Sequence, residues 1–286
     1  MPAGTVERLP RERSAFALEG YALIEGFIPG DVLGALRREV DIALEAPPVA
    51  GCERPHNRLA PLRWNDPVVD LVLRAEERRR AVARVTGGED LRWVSGYVSV
   101  KDPATSPLWW HQDWWCWDHP VSLRRAAAQV AVLVYLGDTD ERSGALRVLP
   151  RSHHASQPLH ATLRDLPAHD ADLPLAHAAL LDQPGQVTIR ARAGDAVVVD
   201  YRLLHGTHPN DSPDRRDCLL LSFAPSWRGL PRDVRAHLIQ HLAQPAEAEC
   251  PATVGSWMSE ALPSFSGVRS DLELSCVAPA EFAVEG

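Results

Sequence analysis

The run Trp109-Trp110-His111-Gln112-Asp113-Trp114-Trp115-Cys116-Trp117 holds five of the chain's nine tryptophans and, among them, a histidine and a carboxylate two residues apart. On extended backbone, residues i and i+2 point to one face, so His111 and Asp113 converge while Gln112 points away. An imidazole nitrogen and a carboxylate oxygen placed this way suit a divalent first-row metal. A second histidine from a distant strand would complete a two-histidine, one-carboxylate face with open coordination positions, the donor set of non-haem Fe(II) oxygenases. His205 is the candidate. It follows the apolar run Ala196-Val197-Val198-Val199-Asp200-Tyr201, and Gly206 after it permits close approach to a ligand. One histidine among twelve is ordinarily a surface or core residue, and His-x-Asp alone arises by chance. The ordered set of features carries the argument.

Thr207 adds a hydroxyl beside His205, and the pair Arg215-Arg216 follows a turn. A two-electron reductant such as 2-oxoglutarate must chelate the metal at one end and have its far carboxylate held at the other. An arginine fork suits that task, because it makes two charge-assisted hydrogen bonds to a carboxylate. His-x-Asp, then His-Gly-Thr, then an arginine about eleven residues past the second histidine supply these parts in order.

The elements that must position them can be read from periodicity. Gly20-Tyr21-Ala22-Leu23-Ile24-Glu25-Gly26 predicts a short strand, and Pro29-Gly30-Asp31 opens a helix carrying Leu33, Leu36, Val40 and Leu44. Residues 1–14 read as a loose arm and 46–65 as a long surface loop. Asp66-Pro67 starts one helix that continues through Glu76-Glu77-Arg78-Arg79-Arg80, a solvated charged face, to Gly87-Gly88. From Leu91 the period changes to two. Strands are predicted at 91–100, 109–115, 128–136, 145–149, 186–190, 195–201 and 217–224, divided by turns such as Asn210-Asp211-Ser212-Pro213-Asp214. This is the pattern of a sandwich or double-sheet jelly roll. Pro231 opens a last helix through Val234, Leu238 and Leu242. The expectation is one domain: a helical part over 15–90, a β core over about 91–225, and a helical or irregular tail over 231–286.

Composition narrows the function classes. A formal net charge of -8 leaves no basic surplus for phosphates, which argues against nucleic acid. Five scattered cysteines argue against a zinc ribbon or a disulfide framework. No apolar stretch approaches the roughly 20 residues that span a bilayer. A cytoplasmic protein, monomer or homodimer, acting on a small molecule is expected.

The block Val134-Tyr135-Leu136-Gly137-Asp138-Thr139-Asp140-Glu141-Arg142-Ser143-Gly144-Ala145-Leu146-Arg147-Val148-Leu149-Pro150-Arg151-Ser152-His153 adds an acidic turn, a Gly-x-Leu strand and a Pro-x-Ser-His end. With Trp110-His111-Gln112-Asp113 it makes the chain resemble the phytanoyl-CoA dioxygenase family of Fe(II)/2-oxoglutarate dioxygenases, from Gly20-Tyr21 to about Phe223. Arg151 stands where the family usually has glycine, and a second histidine, His154, follows. The resemblance implies a mainly β fold with flanking helices and a double-stranded β-helix (jelly roll, cupin-like) core. It implies Fe(II), 2-oxoglutarate and O2 as cofactors, with His111, Asp113 and His205 as iron ligands. Arg216 is implied as the carboxylate clamp, helped by Thr207, with Arg215 the alternative if the loop is one residue tighter. Gln129 and Lys101 stand where the family often has polar groups reaching the cosubstrate. The activity implied is oxidation, by default hydroxylation, of an unactivated C–H bond.

Strand alternation puts Trp109, Trp115 and Trp117, unlike Trp110 and Trp114, on the side of the metal motif, as walls of a substrate pocket or as core. The histidine-bearing loop 153–177 is either a surface segment or a lid. A bacterial-looking composition and a tryptophan-rich site fit a small secondary metabolite as substrate. A catalytically silent binding protein of this fold would need a broken triad, and a halogenase would need a small residue at Asp113. A zinc hydrolase would not need Thr207 and Arg216. Desaturation and epoxidation stay open as alternatives to hydroxylation.

Overall fold

Period-2 alternation from residue 91 onward builds two antiparallel sheets, and the amphipathic N-terminal helices cover one of them. The computed structural model describes residues 11–47, 49, 56–164, 166, 173–246 and 256–284. In chain order these residues form α1 (Arg11–Glu19), β1 (Tyr21–Ile24), α2 (Gly30–Leu44), β2 (Arg58–Pro61), α3 (Pro67–Leu73), α4 (Glu76–Thr86), β3 (Arg92–Lys101) and β4 (Leu108–His111). There follow β5 (Val130–Tyr135), β6 (Leu146–Val148), α5 (Pro158–Arg164), β7 (Val187–Ile189), β8 (Ala196–Asp200), β9 (His205–Thr207), β10 (Arg216–Ala224), α6 (Arg232–Leu238) and α7 (Ser256–Ala261). One sheet has six strands in the order β1-β8-β5-β10-β3-β2, and the other has four in the order β4-β9-β6-β7. All the ladders are antiparallel.

The apolar runs in β5 and β8 are continuous because both faces of the larger sheet are buried. Val130, Val132 and Val134 pack with Ala196 and Val198 against α2, α3 and α4, in a core that includes Leu36, Val40, Val69 and Val72. Their neighbours Ala131, Leu133, Tyr135, Val197 and Val199 face the other way and meet Leu146 and Val148 of the smaller sheet. Each strand therefore feeds two cores, and a mainly β fold with flanking helices results. A register shift where β10 meets β3, between Ser222 and Phe223, pairs Phe223 with Trp93. Strict alternation along 91–100 would put Trp93 on one face with Ser95 and Tyr97; this bulge moves it to the helix-covered face.

Several local expectations change. Of the loose arm, Arg11 to Ser14 belong to α1, and the rest lies outside the described residues. The 46–65 loop contributes β2 to the larger sheet. The helix expected over 66–88 is two helices, broken where Ala75 is extended at ψ 114. Arg78 explains the break. It is buried and donates from Nε to Val72 O (2.8 Å) and from Nη2 to Leu71 O (2.7 Å), taking up carbonyls at the end of α3. The charged run is thus not wholly a solvated face.

The turn from β8 to β9 is held by a buried ion pair. Arg202 donates to both oxygens of Asp200 (3.0 and 2.7 Å) and, through Nη1, to Ser122 O and Arg124 O, and both side chains are only 3% exposed. Burial pushes the Asp200 carboxyl up, but the Arg202 guanidinium outweighs it and holds the group below the usual carboxylate range. Removing one partner strands the other charge, a loss on the order of 3–5 kcal/mol. Asp200→Ala is expected to lower the unfolding free energy by about that amount, measured by urea denaturation at neutral pH. Because the folded-state value is depressed, this stabilisation is complete above the ordinary carboxylate range and disappears as pH falls through the depressed one. The variant should therefore show a shallower acid limb than the parent chain.

Candidate metal centre

Alternation along 109–115 outlasts the strand that begins it. Beyond His111 the chain leaves regular β pairing, yet the outward-facing side chains are tied down one by one. Trp110 lies under the Arg147 guanidinium, 4.8 Å from its ring centroid, and its indole N–H donates to Leu181 O at 2.9 Å. The Gln112 amide donates to Arg202 O. The Trp114 indole N–H donates to Ser122 Oγ at 2.8 Å. With Trp110, Gln112 and Trp114 anchored by these contacts, His111 and Asp113 turn toward a common point.

His205 reaches the same point from β9, which pairs with β4 so that His205 lies opposite His111 and Thr207 opposite Leu108. Three steps on β4 match two on β9, a bulge that turns His111 toward its partner. Gly206 makes the approach possible, since a Cβ there would stand 2.8 Å from Leu108 O and 3.1 Å from Trp109 O. The close approach serves the neighbouring strand.

The ligand atoms of His111, Asp113 and His205 all lie within 4.8 Å of one another. Asp113 Oδ1 is 3.7 Å from His111 Nε2, and Oδ2 is 3.6 Å from His205 Nε2. Each imidazole has its tautomer set by the backbone. Nδ1–H of His111 donates to Trp109 O (2.9 Å) and Nδ1–H of His205 to Leu203 O (3.0 Å). The Nε2 lone pairs are thereby left facing Asp113, the outer-shell arrangement that orients metal-binding histidines. Two imidazole nitrogens and one carboxylate on one side of a point fit Fe(II) with open positions.

Strand parity separates the two candidate arginines. Arg216 opens β10 on the inner face, directly across from Lys101 of β3. It is 6% exposed, its Cζ lies 5.9 Å from the Tyr135 ring centroid, and its Nε is buried with no hydrogen-bond partner. Arg215 points the other way and is ion-paired with Asp41 and Asp217. Thr207 is buried, and its Oγ1 accepts from Leu108 N at 3.3 Å, which leaves its own O–H to donate elsewhere. Lys101 is fully buried, runs beneath Gly144 and donates to Ser106 O at 2.5 Å. Burial, reinforced by Arg216 and Arg147, lowers its ammonium to about 7.

The remaining candidates have other contacts. Gln129 is 4% exposed; its carbonyl oxygen accepts the Trp115 indole N–H at 2.9 Å and its amide donates to Ser222 Oγ at 2.6 Å. Trp109 stands 6.3 Å from His111, centroid to centroid. Trp117 packs on Phe282 of the C-terminal segment, at 4.8 Å. Sequence reasoning missed the α6 side of this region. His237 stacks on Trp115 at 4.5 Å, and the Tyr97 hydroxyl meets His241 Nε2 at 3.0 Å. No spacing links 115 to 237, so only the fold could bring them together. Loop 153–177 contains α5, which places Leu163 beside Trp109.

Two facing antiparallel sheets with this triad between them define a double-stranded β-helix of the 2-oxoglutarate-dependent dioxygenase class. The family model for phytanoyl-CoA dioxygenase matches residues 16–218, and the chain belongs to that family. It is 28% identical over 137 residues to a probable alpha-ketoglutarate-dependent hypophosphite dioxygenase of Stutzerimonas stutzeri, a match covering 48% of this chain and 46% of that protein. It is 24% identical to an ectoine dioxygenase of Nocardia farcinica, covering 89% of this chain and 90% of that protein. Among solved structures, HygX from Streptomyces hygroscopicus with nickel and 2-oxoglutarate bound shares the fold, with a TM-score of 0.58 and 22% identity over 76% of this chain and 87% of that one. No helix among the described residues is long and apolar enough to cross a membrane.

Metal binding tests the geometry directly. Asp113→Ala is expected to abolish stoichiometric binding of Co(II), an air-stable reporter for Fe(II), in titration calorimetry. Trp115→Phe, which changes the wall and leaves all three donors, should bind as the parent does. Unchanged affinity in Asp113→Ala would remove that carboxylate from the metal.

Proposed function

We propose that this protein is an Fe(II)- and 2-oxoglutarate-dependent oxygenase that hydroxylates or otherwise oxidises an unactivated C–H bond of a small molecule in bacterial secondary metabolism. The observation that carries this reading is the convergence of His111, Asp113 and His205 with both Nε2 atoms turned inward. Bound iron with O2 would convert 2-oxoglutarate to succinate and carbon dioxide and supply the oxidising power for the substrate bond. The remaining work falls to the protein. His111, Asp113 and His205 hold the metal on one side and leave the other side open. Arg216 holds the far carboxylate of the cosubstrate, with Thr207 as an added donor and Lys101 as a second cation deeper in the pocket. Support for Arg216 over Arg215 comes from its inward position and its partnerless buried Nε, whereas Arg215 is already neutralised by two carboxylates.

Trp115 and Trp109 form the walls that orient substrate, and Gln129 acts by holding the Trp115 indole. The substrate class rests on likeness. A further structure of HygX holds hygromycin B, an example of a small molecule bound by this fold. The partly exposed Tyr97, Trp115, His237 and His241 offer flat faces and hydrogen-bonding groups for such a ligand.

The direct test is succinate formation from 2-oxoglutarate by the iron-loaded protein under air, screened against small polar natural products. Absence of any succinate from protein that does bind iron and 2-oxoglutarate would overturn the reading. Arg216→Ala leaves a carboxylate unpaired, at a cost on the order of 3–5 kcal/mol. That corresponds to an apparent constant for 2-oxoglutarate raised hundreds-fold or more, with metal binding nearly unchanged. Arg216→Lys should recover part of it, and Arg215→Ala should change little.

Lys101 supplies a pH dependence. Its ammonium is lowered to about 7, and an incoming dianion favours the charged form. Affinity for 2-oxoglutarate should therefore be highest below that pH and fall as pH rises through it. Calorimetry on the Co(II)-loaded protein across this range should show the fall in the parent chain and a flat profile in Lys101→Met.

A further inference from the structure

Several surface arginines of this chain pair with a carboxylate. Arg58 pairs with Asp102, Arg74 with Asp70, Arg80 with Glu76, Arg151 with Glu19 and Arg190 with Glu141. That is the expected outcome in a chain of net charge -8. At the start of α6, three arginines instead share one cleft that has no acidic lining. Arg228, Arg232 and Arg235 line a cleft of about 430 Å³ together with Ser264, Phe265 and Ser266, and no aspartate or glutamate lines it.

The guanidiniums of Arg232 and Arg235 both lie against the Phe265 ring, at 5.8 and 5.9 Å from its centroid. Arg232 finds only a carbonyl, Ser266 O at 3.4 Å, and the Arg235 Nε is buried with no hydrogen-bond partner. Arg228 reaches Asp90 at 3.5 Å, but Asp90 is already held by Arg92 at 2.7 Å. Three positive groups converge on one cleft and share at most part of one carboxylate. Such a cluster repels itself, and a desolvated donor without an acceptor is unfavourable. An occupant carrying two negative charges would relieve both.

We propose that this cleft is a second anion site, distinct from the Arg216 pocket, that takes a tetrahedral oxyanion: a phosphate or sulfate group, free or as an ester. Guanidinium forks match two oxygens of such a group at once, and the Ser264 and Ser266 hydroxyls add neutral donors at the rim. The site lies on α6, one of whose other side chains, His237, braces Trp115 of the metal-site wall. An anion bound between Arg232 and Arg235 holds that helix in place.

The test uses the Co(II)-loaded chain with saturating 2-oxoglutarate, so that Arg216 is already engaged. Inorganic phosphate, inorganic sulfate and phenyl phosphate are titrated by calorimetry, with sodium chloride at matched ionic strength as the control. Saturable binding of one oxyanion per chain is expected, weakened at least tenfold in Arg232→Gln/Arg235→Gln and unaffected by Arg216→Ala. Tighter binding of phenyl phosphate would assign an ester as the occupant, and equal binding the free ion. If the double variant does not fold, Arg235→Lys serves instead: it keeps the charge and loses the fork, and it should bind several-fold more weakly. The proposal is overturned if phosphate behaves as chloride does, if 2-oxoglutarate displaces it, or if the folded variants bind as the parent does.

Discussion

The pairing of β4 with β9 sets His111 opposite His205, and the candidate metal centre depends on that register. Three donors must face one point within a few ångströms, and no single segment of this chain carries all of them. The extra residue on β4 and the missing side chain at Gly206 let the two backbones close, so that imidazoles 94 positions apart in sequence face one carboxylate. The anchors around them serve the same end. Trp110 under Arg147, Gln112 on Arg202 and Trp114 on Ser122 fix the outward side chains, which leaves the inward ones no freedom to turn away. The Gln112–Arg202 contact also ties the His111 segment to the His205 segment, and Arg202 is itself held by Asp200.

Charge is handled differently at different depths. At the surface, arginines meet carboxylates in exposed pairs that contribute little individually. In the interior, Asp200 and Arg202 neutralise each other where either alone would be costly. Arg216 is the exception inside the barrel, buried beside Lys101 with a donor left over, and the proposed cosubstrate carries the charge it lacks. The same reasoning, applied outside the barrel, singles out the α6 arginines. Lys101 shows the cost of the arrangement. Buried, and with Arg216 and Arg147 close by, its ammonium is held in the charged form only weakly until an anion arrives.

The barrel and the segments around it divide the work. The metal donors, Arg216 and Thr207 all lie on or beside strands whose positions are set by the two sheets. The partly exposed Trp115, His237 and His241 belong to the segment after β4 and to α6 and its exit, where sequence can change without disturbing the ladders. This division explains how one fold can host different substrates. The match to the hypophosphite dioxygenase covers less than half of that protein, and the structural relatives share about a fifth of their residues with this chain, so the shared part is the scaffold.

Much of this was legible in the chain itself. The spacing of His111 and Asp113, the strand before His205 and the turn before Arg216 follow from alternation and turn chemistry, which act over a few residues. The mainly β architecture with flanking helices was legible for the same reason. What the sequence alone could not decide depends on contacts between distant segments. Whether Arg215 or Arg216 faces inward is a matter of ladder register. Trp93 changed faces because β3 bulges where it pairs with β10, and the helix over 66–88 broke because Arg78 turned back to carbonyls of α3. Gln129 meets Trp115 and Ser222, and His237 meets Trp115, only because the fold packs together four segments distant in the chain. Local periodicity determines which residues can share a face; tertiary packing determines what that face meets.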